Sequence, residues 1–385
     1  MSDAALLEAA AALAPRIRPH ADEIEASRRL PVSVVEDLAD AGLFRMLVPR
    51  ALGGGEVAPA TLIRAVEVIS RADSAAGWCV MVGATTGMMS AYLDDDTARE
   101  VFGDPEAICS GVFAPTGRAV EAGDAYRISG RWSFASGVDH ATHRMGGVLL
   151  MGPDGPVLGP DGNPVIRHVL FRAEDTRVLD TWSTSGLRGT GSHDMAVKDI
   201  LVPKRFCASL GSDRPRHTGV LYRFPIFGLL ALGVAAVAMG IAREAIDTLT
   251  SLATEKKPMW SKRSLAHREL VQVHVAEAEA AVRAARAFLF EATAEVTAVA
   301  EAQGEITEKE RALLRLAATH ATRSAAQAVD RMYHAGGGTS IYTTSPLQRH
   351  FRDVHVATQH VMVAEATYGM VGKVLLGLGG EAGML

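Results

Sequence analysis

ISGRWSFASGVDHATH, residues 128–143, places its aromatic side chains at period two between Ile128 and Gly137. That spacing reads as a β-strand, with Trp132, Phe134 and Ser136 on one face and Arg131, Ser133 and Ala135 on the other. The first face would show two flat rings and then a hydroxyl, with Gly137 leaving room for close approach. Such a surface suits a flat heteroaromatic ligand whose edge needs a hydrogen-bonding partner. An ordinary half-buried strand that ends in a serine carries the same pattern.

Outward from this stretch the chain changes character twice. Residues 1–107 show apolar side chains at helical spacing, as in PVSVVEDLADAGLFRML and APATLIRAVEVISRADSAAGWCVMVGATTGMMSAYL. Residues 108–212 are richer in β-branched and aromatic side chains, and turn signals recur as EAGDAY, GPDGPVLGPDGNP and TSGLRGTGSHD. Residues 213–385 return to helix. Four long helices are expected over Ile226–Thr254, Ser264–Gln303, Thr307–Ala335 and Pro346–Leu376, a length suited to an up-and-down bundle. Thr307 with Glu310 forms a capping box, and Ser345-Pro346 reads as a cap followed by a first-turn proline. The expected class is α+β: an N-terminal helical domain, a small central antiparallel β-domain and a C-terminal four-helix bundle.

Composition narrows the function. The chain has 385 residues, 48% hydrophobic and 22% charged, as in ordinary soluble globular proteins. A net charge of −5 without basic clusters argues against a nucleic-acid surface. Cys79, Cys109 and Cys207 form no CxxC pair and no even set, which favours reduced thiols in a cytoplasmic protein. The acid-bearing N-terminus reads as an amphipathic helix and not as a signal peptide. Phe224–Ala242 runs for 19 residues without a charge, about a bilayer span, yet its Ala and Gly content and early Pro225 favour a helix buried among helices over a membrane segment. HExxH, GxxxxGK[ST], GxGxxG and GxSxG are absent, so no metal site, P-loop, nicotinamide fingerprint or nucleophile elbow is expected. GLGGEAG at 377–383 has no helix after it to receive a phosphate.

Five segments, GVFAPTG (111–117), ISGRWSFASG (128–137), GLRGTGSHD (186–194), AGGGTSIY (335–342) and RDVHVATQH (352–360), occur in an order that resembles the acyl-CoA dehydrogenase superfamily. Within it they look most like the flavin-dependent monooxygenase branch, the oxygenase components of two-component hydroxylases. The resemblance spans nearly the whole chain and implies the α–β–α fold, a homotetramer built on the C-terminal bundle, and reduced FMN or FAD supplied by a separate flavin reductase. It further implies reaction with O2 through a C4a-hydroperoxyflavin and hydroxylation of an aromatic or other electron-rich small molecule.

The same resemblance assigns residues. Ser136 aligns with the hydroxyl residue beside the flavin's central nitrogen, and His360 matches the histidine of an RDxxxxxxH segment that faces the flavin's reactive edge. Both are candidate catalytic residues. Phe113, Thr116, Trp132, Phe134, Arg188, Ser192, Gly336, Gly337 and Gly338 are candidate cofactor contacts; for Arg188 and Ser192 a purely structural turn is an equal alternative. Trp78, Thr86, Met89 and His140 are candidate substrate contacts, the methionines suggesting an adaptable apolar wall. His360 is expected on the last long helix, with His355 about 140° away on another face.

Two departures separate this chain from the dehydrogenases. Where their catalytic glutamate stands in an RDxxxxxxxEG segment, this chain has Val361 and Met362, and no acid lies between Phe224 and Ala242. Without a carboxylate base an acyl-CoA dehydrogenation, the competing reading, has no proton acceptor. The RxxFG segment is replaced by KKPMWSK, with Lys256 near the arginine position, which leaves FMN and a loosely held flavin open. One departure counts the other way: the substrate-side histidine common among the monooxygenases is missing from GWCVMVGATTGMMSAY. His140 and His143 are then the candidates to accept a phenol's proton.

Overall fold

In a computed structural model of the chain, residues 2–303 and 306–379 are described. Residues 380–383 of the glycine-rich GLGGEAG therefore lie outside the described residues. Helices lead: α1 (Asp3–Ile17), α2 (Ala21–Ser27), α3 (Val32–Asp40), α4 (Pro59–Ala72), α5 (Ser74–Gly87) and α6 (Asp95–Phe102). Asp73 caps α5 by accepting from the Ala76 N–H at 2.8 Å, and Asp94 does the same for α6 from Thr97.

The sheet follows: β1 (Cys109–Ala122), β2 (Ala125–Trp132), β3 (His143–Gly152), β4 (Gly155–Pro156), β5 (Ile166–Arg172), β6 (Arg177–Leu179), β7 (Asp194–Pro203) and β8 (Cys207–Ala208). Their order is β6-β7-β2-β1-β3-β5-β8, with β4 paired to β3. Most pairings are antiparallel, but β1 and β3 run parallel, in register from Cys109 opposite His143. A parallel neighbour cannot be reached by a tight hairpin. The chain therefore carries on past the end of β2 through residues 133–142 before β3 begins, and this crossing segment is the one that holds Ser136.

The expected strand through Gly137 stops at Trp132. Phe134 takes a left-handed backbone, φ +64°, and Gly137 follows at φ +75°, so the period-two alternation ends at Trp132, before Phe134 and Ser136. Trp132 is wholly buried, packs against Phe171 and donates its indole N–H to the Gly147 carbonyl at 2.7 Å. The indole fits because Gly117, Gly130 and Gly146 line it; a Cβ at these positions would come within 2.4, 2.6 and 2.6 Å of the ring. Trp132 is a core residue of the sheet and presents no ring to a ligand.

The C-terminal helices are α7 (Val220–Arg223), α8 (Ile226–Glu255), α9 (Glu269–Gln303), α10 (Glu308–Gly336), α11 (Pro346–Ala357) and α12 (Ala366–Leu375). The capping box of Thr307 and Glu310 is formed. α8 is long and apolar enough to cross a membrane, but 89% of its most apolar window is buried inside the molecule. Small residues let it approach its neighbours: a Cβ on Gly233 would meet Met81 Cγ at 2.4 Å, and one on Gly240 would meet the Glu67 carbonyl at 2.7 Å. The expected fourth long helix is broken between α11 and α12. His360 lies in that break, in a turn and not on a helix face.

Candidate functional site

Three segments converge where the helices meet the sheet. α5, apolar almost all round, brings Trp78 and Cys79 inward. The crossing segment 133–142 brings Ser136. The loop before β7 brings Thr190 and Ser192. The Trp78 indole N–H donates to Ser136 Oγ at 3.0 Å, and Ser136 Oγ lies 2.6 Å from Ser192 Oγ. Ser192 Oγ lies 2.6 Å from Thr190 Oγ1, which donates to the Leu187 carbonyl at 2.9 Å. Gly137 N–H donates to the Thr190 carbonyl, and Ser110 Oγ to the Ser136 carbonyl, which fixes the backbone on both sides. The result is a buried row of neutral hydroxyls with donors and acceptors matched.

Beside this row Phe134 is 71% exposed, unusual for a large aromatic held in a left-handed backbone. Its ring stands edge-on to Trp182, with centroids 6.2 Å apart, and Trp182 is itself anchored by donating to the Leu187 carbonyl. The exposed Phe134 ring offers a flat apolar surface near the buried hydroxyls.

His360 joins the cluster from the bundle. Its ring meets Trp78 edge-on at 5.6 Å. Its Nδ1 accepts from the Met362 N–H at 3.3 Å. Burial, reinforced by the charge of Arg315, holds His360 down at about 4, so it is neutral near pH 7. Burial alone holds His140 at about 4 as well; it sits against Phe44 and close to Gly137.

Asp353, on α11, ties the parts together. Its Oδ1 accepts from the Leu187 N–H at 2.7 Å, and its Oδ2 accepts from the Ser74 hydroxyl at the start of α5. Burial raises its carboxyl, against the pull of those two hydrogen bonds. Burial also lifts the neighbouring Asp73 to about 6.

The sequence reading is thus met in part. Ser136, Ser192, Trp78 and His360 come together. Trp78, expected against substrate, spends its N–H on Ser136. Thr86 and Met89 are buried, Thr86 facing Gly111 of β1 with its hydroxyl unpartnered. Phe113 is half-buried against His168 and Phe227, and Thr116 is exposed and donates to the Arg131 carbonyl. Arg188 donates to the Glu25 carbonyl on α2 and to the Thr184 carbonyl of its own loop, contacts that fit the structural alternative. Gly336 ends α10, its carbonyl accepting from Lys256 Nζ at 2.8 Å, while Gly337 and Gly338 are exposed. Sequence reading missed Thr190, Trp182 and Arg315; the only hint for the first two was their place in the WSTSGLRGTGS segment. Among the described residues no group of three or more His, Cys, Asp or Glu side chains is placed to hold a metal ion. A cavity of about 550 Å³ between the C-terminal half of α8 and residues 339–347 shares no lining residue with this cluster.

Helices, sheet and bundle thus meet at a row of buried neutral hydroxyls beside the exposed Phe134 ring. Residues 3–100 match the family described as acyl-CoA dehydrogenase, N-terminal domain, and residues 232–365 match acyl-CoA dehydrogenase, C-terminal domain. The chain is 33% identical over 364 residues to an indole-3-acetate monooxygenase of Pseudomonas putida, covering 94% of this chain and 91% of that protein. It is 29% identical to the flavin-dependent monooxygenase oxygenase subunit HsaA of Rhodococcus jostii, covering 95% and 97%. The crystal structure of XiaF from Streptomyces sp. in complex with FADH2 and glycerol superposes with a TM-score of 0.89 at 25% identity, over 98% of this chain and 96% of that one. The chain belongs to the acyl-CoA dehydrogenase superfamily, in its flavin-dependent monooxygenase branch.

Proposed function

We propose that this chain is the oxygenase component of a two-component system that hydroxylates an electron-rich aromatic substrate with reduced FAD or FMN from a separate reductase. The observation that carries the reading is the chain of contacts from Ser192 through Ser136 and Trp78 to His360, beside the exposed ring of Phe134. These residues fit a flavin: a flat ring would cover Phe134 and meet Ser136 at its edge. When bound, reduced flavin supplies the activated oxygen.

The protein's own groups then bind, orient and keep water out. Ser136 presents a hydroxyl that accepts from Trp78 and donates toward Ser192, leaving a lone pair for a donor at the flavin's edge. His360, neutral with Nδ1 occupied, offers Nε2–H as a donor. Thr86, Met89 and His140 line the substrate side. The exposed Gly337 and Gly338 backbone would support the cofactor of a neighbouring copy in a homotetramer. With His140 held at about 4, a phenol's proton has a poor acceptor there. That favours a substrate that is electron-rich without ionising, such as an indole ring, in keeping with the name of the P. putida relative.

The test is direct. The protein is mixed anaerobically with reduced flavin, then given isotopically labelled oxygen and either indole-3-acetate or a simple phenol. Label in one hydroxylated product supports the reading, and label in the indole product supports the substrate class. Hydrogen peroxide alone from every aromatic offered, or bleaching of bound oxidised flavin by an acyl-CoA, would overturn it.

A further inference from the structure

Arg315 is wholly buried two turns into α10, one of the largest fully buried side chains in the molecule. Burial lowers its guanidinium to about 10, which leaves it charged near neutrality. Burying a guanidinium is costly unless its donors are used. Here Nε donates to the Met362 carbonyl at 3.0 Å and Nη2 to the Val361 carbonyl at 3.4 Å. Both carbonyls belong to the turn that carries His360, and the N–H of the same Met362 donates to His360 Nδ1 at 3.3 Å.

We propose that Arg315 is a positioning residue that sets both the tautomer and the charge state of His360. By gripping the carbonyls of Val361 and Met362 it holds the Met362 N–H against Nδ1, so the imidazole carries its proton on Nε2. A ring protonated on Nδ1 would set N–H against N–H. A doubly protonated ring would do the same and would also face the guanidinium charge. The other charged groups around the turn are engaged with one another: Asp330 of α10 with His355 of α11 at 2.8 Å, and Arg323 of α10 with Glu365 at 3.5 Å. On the α5 side Asp73 caps its own helix. Arg315 is the charge whose field acts on His360. The inference rests on the reading of His360 as the donor to the cofactor, since only there does the choice of nitrogen matter.

The test needs no flavin. Protein labelled with nitrogen isotope in its histidines is titrated by NMR, and the His360 signals are assigned by their loss in His360→Gln. The parent should show the Nε2–H tautomer and no titration between about pH 5 and pH 8. Arg315→Met should let His360 titrate inside that window, an upward shift of about one unit or more, with mixed tautomers. Arg315→Lys keeps the charge but not the two-pronged grip, so the ring should stay neutral and lose its single tautomer. An Nδ1–H ring or a titration within the window in the parent overturns the proposal, whether or not the variants fold. Signals unchanged in Arg315→Met overturn it too. Failure of the underlying reading shows separately, as full coupling of oxygen to product in His360→Gln.

Discussion

The indole N–H of Trp78 donates to Ser136 Oγ at 3.0 Å while the same ring stands edge-on to His360 at 5.6 Å. One side chain of the N-terminal helices thus separates and aligns the sheet's contribution and the bundle's contribution to the site. Trp78→Phe keeps an aromatic edge toward His360 but removes the donor. Ser136 then holds its direction through Ser192 alone. One neutral buried hydrogen bond contributes about 0.5–1.5 kcal/mol net, so reduced-flavin affinity should weaken by up to about tenfold with little change in melting temperature. Titration of reduced flavin under anaerobic conditions checks this. Unchanged affinity would mean that Ser136 needs no help from Trp78.

Asp353 fastens three segments, and its loss should be felt globally. Asp353→Ala leaves the buried Leu187 N–H and the Ser74 hydroxyl without their acceptor, at about 1–3 kcal/mol for each unsatisfied group. Asp353→Asn keeps an acceptor for Leu187 and an amide for Ser74, so it should cost about 1 kcal/mol or less. Denaturant midpoints of the two variants give the comparison. An alanine variant as stable as the parent would remove Asp353 from this role.

The middle of α8 is the least forgiving place for charge. Ala235 is fully buried, and Ala235→Asp puts an unpaired carboxylate there, at a cost of several kcal/mol, about 3–5 by analogy with broken buried pairs. The variant should be insoluble or melt far below the parent in a thermal scan. A soluble variant with the parent's melting temperature would contradict the packing of α8 against α4 and α5.

Acid should destabilise the fold through its buried histidines. His140, His168 and His360 are held at about 4 and His350 at about 3, in each case chiefly by burial, against an ordinary value of 6.5. Between these values the unfolded chain binds protons that the folded chain refuses, so stability is full above about 6.5 and falls as pH drops toward 4. Asp73, raised to about 6, has the opposite sign: its share is present in acid and lost as pH rises through 6. The four depressed histidines outnumber the two raised carboxyls, Asp73 and Asp353, whose shifts have the opposite sign. Urea midpoints at about pH 7.5 and about pH 5 should therefore show the lower stability at the lower pH. A midpoint that rises on acidification would mean the carboxyls dominate.

How much of this was legible in the chain depends on the scale of the signal. Helical periodicity located most of the long helices, because each buries one continuous apolar face and local spacing records that. The break at 358–365 left no such trace: Val356, Val363 and Thr367 keep a helical spacing through it, while Arg315, remote in sequence, holds two carbonyls of the break. The alternation through Trp132, Phe134 and Ser136 misled for a related reason. Trp132 belongs to the sheet core because Gly117, Gly130 and Gly146, remote in sequence, make its slot, and Phe134 leaves the strand through a left-handed backbone that spacing cannot encode. Ser136 and His360 were singled out by their motifs, whereas Trp182 and Thr190 join the cluster through contacts that only the fold assembles.

The sharpest consequence concerns which histidine matters. His355 and His360 are five residues apart, and the structure separates them more firmly than a helix would. His355 pairs with Asp330 at 2.8 Å and packs on Phe351, on the side of α11 that faces α10. His360, in the turn beyond, touches Trp78 and carries its free donor on Nε2. If that donor supports oxygen transfer in a site from which water is excluded, its loss costs about 1–3 kcal/mol, or one to two powers of ten in the competition between product and peroxide. His360→Ala should therefore fold and bind flavin yet release most of its oxygen as hydrogen peroxide. His355→Ala should lose a half-exposed hydrogen bond to Asp330, worth under about 1 kcal/mol, and stay coupled. The measurement is peroxide formed per flavin oxidised, for both variants and the parent, at one substrate concentration. A fully coupled His360→Ala, or uncoupling confined to His355→Ala, would move the reactive edge of the site away from the Trp78 ring and onto the α10–α11 interface.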